Sequence, residues 1–180
     1  MQRVRGWLWP YIGWRRAGRY LLMRVQRMPG TPHSIAAGLA AGAAVSFTPF
    51  LGFHFLLAFV LAWLTRGNLL AAAIGTAVGN PWTFPFMFTA TYTLGCYILG
   101  QPPYGLRHIL RLDLDTLFDK VRLLLWPMVI GSVPFGAAAW ALTYFPAVRA
   151  VRAVQARRRR RLEERLRRTA RPATLEVEQP

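Results

Sequence analysis

The chain has 180 residues, 23 Lys and Arg against 7 Asp and Glu, a net charge of +16 and one Cys, yet 54% of it is hydrophobic. Basic chains that bind nucleic acid or stay disordered are usually poor in apolar residues, so neither class describes the whole chain. A single Cys excludes an intramolecular disulfide framework and a Cys-based zinc site.

Taken along the chain, the charge separates into blocks. Residues 1–27 carry seven Arg and no acid, and residues 28–106 carry only Arg66. Residues 107–122 carry a net +1, residues 123–148 no charge, and residues 149–180 a net +7. Charge segregated from apolarity in this way is the pattern of an integral membrane protein. A membrane helix needs ~20 apolar residues. The runs 28–65 and 67–106 are each about twice that long, so each is predicted to fold back on itself. The expected fold class is all-α: a polytopic helical membrane protein with two Pro-broken helical hairpins, one further membrane segment and interfacial amphipathic helices. The hairpins either re-enter or cross twice.

Residues 1–28 read as a basic interfacial segment. The apolar run from Trp7 to Trp14 is too short for a signal peptide and contains Pro10 and Gly13. Over 15–28, Leu21, Leu22, Val25 and Met28 share one side of a helix, and Arg16, Arg19, Arg24 and Arg27 share the other. This predicts a helix on the cytoplasmic surface, with Arg15, Arg16 and Arg19 at lipid headgroups. A solvated helix packed on a protein neighbour is the alternative.

Residues 29–106 form the membrane core. Each block runs in the same order: small residues with GxxxG (Gly38 and Gly42, then Gly75 and Gly79), a proline break, and a bulky aromatic half. The breaks at Pro49 and Pro81 lie 32 residues apart, a weak internal repeat. GxxxG lets helix backbones approach closely in lipid, within one chain or between the chains of a homo-oligomer. Proline removes a backbone donor, and freed carbonyls at membrane depth need protein partners or a wet cavity. Paired broken helices build midplane sites in many transporters. The candidates for a substrate path are therefore Thr48, Pro49, His54, Asn80, Pro81 and Thr83, with Ser46 and Trp82 beside them. The alternative is that both prolines only form turns between short helices.

Several of these residues recur together: Pro32-His33-x-Ile35-Ala36-x-Gly38, Phe47-Thr48-Pro49-x-x-Gly52, Arg66-x-Asn68, Gly75-Thr76-x-x-x-Asn80-Pro81-x-Thr83 and Leu94-Gly95. This set resembles domain of unknown function family 2062, small bacterial membrane proteins, over about residues 15–100. The resemblance implies a bacterial inner-membrane protein and carries over no catalytic residue.

Residues 107–122 read as a second interfacial helix, with Asp113 or Asp115 capping its start. Residues 123–148 are long enough to span, as one kinked helix or a third hairpin. Residues 149–180 form an Arg-rich cytoplasmic tail whose last residues are expected to be disordered. Arg157, Arg158 and Arg159 within it suit anionic lipid, and nucleic acid is the weaker reading. The positive-inside rule puts both termini in the cytoplasm, with Arg66 and Arg107 on the same face.

Chemistry is sparse. His33, His54 and His108 lack metal spacing, no phosphate-binding glycine loop occurs, and residues 28–106 hold no carboxylate for proton relay. The chain reads as non-enzymatic, without cofactor or metal. It is expected to pass or position a small or lipidic substrate at the breaks. The alternative is a membrane scaffold or regulator that recruits a partner or anionic lipid through its tail.

Overall fold

The computed structural model describes residues 28–102 and 117–175, and all regular structure among them is helical. The expected amphipathic helix of residues 15–27, most of the helix expected over 107–122 and the chain end at 176–180 lie outside the described residues.

Helix α1 (Pro32–Val45) starts where Thr31 Oγ1 accepts a hydrogen bond from Ser34 N at 3.1 Å and Pro32 opens the first turn. Both features suit a helix start, because the first turn has spare donors and needs none from proline. Its Ala and Gly residues leave it thin, and Ile35 to Val45 are buried except Leu39. Helix α2 (His54–Leu64) returns beside it. Ala58 and Ala62 pack with Ala41 and Val45, while Phe55, Leu56, Val60 and Trp63 face outward.

Helix α3 (Leu69–Gly75) is capped by Asn68, whose Oδ1 accepts from Leu70 N and Ala71 N at 2.9 and 3.1 Å. It runs parallel to α1: Asn68 and Ala71 lie against Gly38, and Ala72, Gly75 and Thr76 against Gly42. Cβ atoms built at these glycines would enter the opposite backbone. At Gly42 one would stand 2.6 Å from Thr76 N, and at Gly38 one would stand 2.9 Å from Ala71 Cβ. The 3-10 helix Thr76–Val78 prolongs α3 to the second break.

Helix α4 (Phe84–Ile98) and the 59-residue helix α5 (Leu117–Leu175) complete the bundle. Along α5, Phe135 stacks on Phe47, Gly136 meets Ala44, Tyr144 meets His33 and Gln155 meets Gly30, so α1 runs antiparallel to it. Nearer its start, Pro127 lies against Gly95 and Gly131 against Thr91 and Gly95, so α4 is antiparallel as well. Helices α1 and α4 thus follow one another along the same α5, each covering part of its length.

Two expectations need correction. Block two is not a hairpin. Helices α3 and α4 run in the same direction and do not pack side by side, because each has its own partner, α1 and α5 respectively. Residues 123–148 are neither a hairpin nor a separate segment; they continue in one helix from residue 117 into the Arg-rich tail, through Pro127, Pro134 and Pro146. Gln101 and Arg122 lie together near the start of α5, whereas Thr65, next to Arg66, is tied through His33 to Tyr144 further along it; Arg107 lies outside the described residues. One helical segment, Arg122–Arg167, is long and apolar enough to cross a membrane.

Close contact of α1 with α3 makes Gly42 intolerant of a side chain. Gly42→Ala is expected to lower stability by ~1–3 kcal/mol. Gly136→Ala, whose Cβ meets nothing nearer than Ala44 O at 3.3 Å, is expected to cost less. Helix loss followed by circular dichroism during SDS titration measures both; equal effects would contradict the packing described.

Candidate functional site

The two breaks come together. Ser46, fully buried at the end of α1, donates to Gly42 O at 3.0 Å and accepts from Gly79 N at 3.1 Å. One hydroxyl therefore joins the first break to the second. A Cβ at Gly79 would lie 2.9 Å from both the Phe84 ring and Ser46 Cβ, so this junction closes only around glycine. His54 opens α2 in the same place. Its ring lies against the backbone carbonyls of Thr48 and Ser46 and 5.5 Å from the ring of Phe84. The C-terminal ends of α1 and the 3-10 helix, with partial negative charge, meet the N-terminal ends of α2 and α4, with partial positive charge.

The Asn-Pro-x-Thr element forms a reciprocal cap. Asn80 Oδ1 accepts from Trp82 N at 3.0 Å and Thr83 N at 3.1 Å. Thr83 Oγ1 accepts from Asn80 N at 3.0 Å and donates to Val78 O at 2.9 Å. This has the logic of a capping box, in which the first and fourth residues satisfy each other's backbone donors. Pro81 falls between them, where no backbone donor is needed.

These bonds redistribute the candidate substrate-path residues. Thr48 Oγ1 donates to Val45 O at 2.7 Å, and Pro49 O accepts from Leu51 N at 3.0 Å. Asn80 and Thr83 lie at the junction, but their side-chain oxygens are engaged by local backbone. Pro81 and Trp82 are exposed. His54 differs: it is 8% exposed, and its Nε2 is the one buried side-chain nitrogen or oxygen among the described residues without a hydrogen-bond partner. Among the glycines, Gly38, Gly42 and Gly75 lie in the α1/α3 contact and Gly79 in the junction. That contact lies within the chain, so an oligomer would need another face. Arg157, Arg158 and Arg159 are on an exposed stretch of α5, and Arg15, Arg16 and Arg19 lie outside the described residues.

Two features escaped the sequence reading. One is the α4/α5 crossing at Gly95 and Gly131, whose backbones approach without intervening side chains. Thr91 and Gly95, four apart, facing Pro127 and Gly131, four apart, were the available signal. The other is His33, which bridges Tyr144 Oη at 2.8 Å and Thr65 O at 3.2 Å and so ties α1, α2 and α5 together. Its partners are 111 and 32 residues away, beyond any local pattern.

If Asn80 acts as a cap, Asn80→Asp is expected to keep near-native stability and Asn80→Ala to lose ~0.5–2 kcal/mol. Ser46→Ala, which removes the acceptor for Gly79 N, is expected to cost ~1–3 kcal/mol. Thermal unfolding in detergent compares the three. Equal midpoints for the two Asn80 variants would remove the capping account.

No curated protein and no solved structure matches this chain. A family model, described as an uncharacterized protein conserved in bacteria, matches residues 15–160. That span includes the α1/α3 contact, the junction of the breaks and most of α5; the chain belongs to domain of unknown function family 2062.

Proposed function

We propose that the chain is a multi-pass protein of the bacterial inner membrane. On this reading it passes or positions a small or lipidic substrate, without transforming it, where its helix breaks meet. The observation that carries the reading is the level of that junction along α5. Phe47 stacks on Phe135 and Ala44 meets Gly136, and these α5 residues are at the middle of the uncharged stretch 123–148. That stretch is ~39 Å long at the helical rise, enough to cross a hydrocarbon layer of ~30 Å. With α5 across the bilayer, the junction falls near the midplane.

Helix directions then define the path. Helices α1 and α2 enter and leave on one side as a re-entrant hairpin. Helix α3, the second break and α4 make one interrupted crossing, and α5 makes the return. Two crossings bring the start of the described chain and the tail to one face, together with Arg66, which the positive-inside rule assigns to the cytoplasm. Phe86, Tyr97 and Leu142 are 78%, 84% and 76% exposed, a cost in water that acyl chains remove. Irregular backbone at this depth must be satisfied by protein or water. The bonds of Ser46, Asn80 and Thr83 meet that need, and His54 Nε2 remains as a polar point for a ligand or water.

A second reading has its own observation. Helix α5 continues past its contact with Gly30 at Gln155, and residues 156–167 are exposed throughout. This is ~18 Å of cationic helix, suited to recruiting a partner or anionic lipid.

Cysteine labelling in a Cys96→Ala background tests the topology. A cysteine at position 66 is expected to react from the cytoplasm and one at position 101 from the other side; the same side for both would refute the interrupted crossing. Reconstituted protein is expected to move a labelled lipid or solute across vesicles, and Asn80→Ala or Pro81→Ala to slow it. No movement across a broad substrate panel, combined with loss of a bound partner on deleting residues 157–180, would favour the scaffold instead.

A further inference from the structure

Beside the junction, a groove of ≈ 570 Å³ opens sideways between α2 and α5. Ala44 and Val45 of α1 form its floor, and Leu61, Val133, Ala137 and Trp140 form its walls. Three hydroxyls also border it, those of Thr48, Thr65 and Ser132. Each hydroxyl donates to a backbone carbonyl three or four residues before it: Thr48 to Val45 O at 2.7 Å, Thr65 to Leu61 O at 2.8 Å and Ser132 to Val129 O at 2.7 Å. Their donors are therefore taken. A peptide in the groove would bury carbonyl groups with no hydroxyl proton left to meet them, at several kcal/mol per group in a medium that cannot hydrogen-bond. A hydrocarbon chain has no such groups.

The groove has two chemically different ends. At one, Thr48 and Ser132 lead to the junction of the breaks. At the other, Thr65 lines the groove, and the next residue in the chain is the exposed Arg66, the only formal charge in residues 28–106. Arg66 is exposed and has φ 53°, in the left-handed region that costs a residue with a Cβ about 1–2 kcal/mol. The fold thus keeps a cation at a turn position that glycine would fill more easily. His33, bonded to both Tyr144 and Thr65, holds that end of α2 at a set distance from α5. Trp140 stacks on Tyr144 with ring centroids 4.7 Å apart and stiffens the same end.

We propose that this groove binds an anionic glycerophospholipid, one acyl chain lying along α5 toward Thr48 and the phosphate held at Arg66. The inference rests on the membrane placement given under the proposed function, and it names a lipid site that leads to the junction of the breaks.

The test uses the full chain in phosphatidylcholine vesicles containing phosphatidylglycerol with a photoreactive group in its acyl chain. Cross-links are expected on the peptides that hold Ala44, Leu61 and Ala137. Ala137→Trp, which fills the groove, is expected to abolish them, while Ala138→Trp, on the neighbouring exposed position, leaves them in place and controls for folding. Arg66→Gln is expected to reduce labelling about fivefold, the equivalent of ~1 kcal/mol for one basic residue at a lipid surface. Labelling spread evenly over the exposed faces of α2 and α4, or unchanged in Ala137→Trp, would overturn the site. Equal labelling by phosphatidylcholine and phosphatidylglycerol probes would overturn the anionic assignment. A photo-cross-link from position 137 to a second copy or to residues 1–27, in place of lipid, would overturn the occupant. Loss of groove labelling with vesicle transport intact sinks this inference alone; labelling without transport sinks the transport reading alone.

Discussion

Where Gly42 of α1 meets Ala72, Gly75 and Thr76, no side chain separates the two backbones. Everything else in the bundle is arranged around that contact. Because α3 lies so close to α1, the end of the 3-10 helix reaches Ser46, and a single hydroxyl can join Gly42 O to Gly79 N. Because Ser46 holds Gly79, the turn closed by Asn80 and Thr83 leads into α4 at the level where α1 stops. Helix α4 then has only α5 left to pack on, and it does so through a second backbone contact, at Gly95 and Gly131. Small residues matter here for a physical reason: they let the backbones themselves come into contact, the kind of packing that holds helices together in lipid, where apolar side chains gain nothing by leaving solvent.

The same constraint explains why the proline breaks are orderly. A helix end leaves several backbone groups without intrahelical partners. Four such ends converge at the junction, and their needs are met by a few side chains: Thr48 for Val45 O, Ser46 for Gly79 N, and Asn80 with Thr83 for each other. The residues that looked most like a substrate path are therefore largely structural. What the junction leaves over is His54 Nε2. Between α2 and α5 it leaves a groove with apolar walls.

Much of this was legible in the residues. The uncharged runs, the GxxxG pairs and the positions of the two breaks come directly from composition and spacing. Less legible was direction. The two blocks share a pattern, and a shared pattern predicted two equal hairpins. In the structure α2 folds back on α1 while α4 continues away from α3, because α4 finds its partner in a segment more than thirty residues later. Proline was a misleading guide in α5. At Pro49 and Pro81 it coincides with a helix end, whereas Pro127, Pro134 and Pro146 interrupt nothing. The difference is the neighbour: α1 and α4 pack on α5 between Pro127 and Gln155, and one missing donor per proline does not outweigh that packing.

The sequence by itself determined the class of protein: a helical chain of apolar blocks bounded by arginine, with small residues where helices touch and proline or asparagine where they stop. These properties are local, set by side-chain volume, charge and capping within a few residues. Only the tertiary structure decided that the two breaks share one hydroxyl, that block two runs onward, and that α1, α2 and α5 enclose a groove reaching from Thr48 to Thr65. Such facts depend on which distant surfaces pair. With backbone-to-backbone contacts the deciding element is often a glycine, which looks the same in the sequence whether it meets another helix or open space.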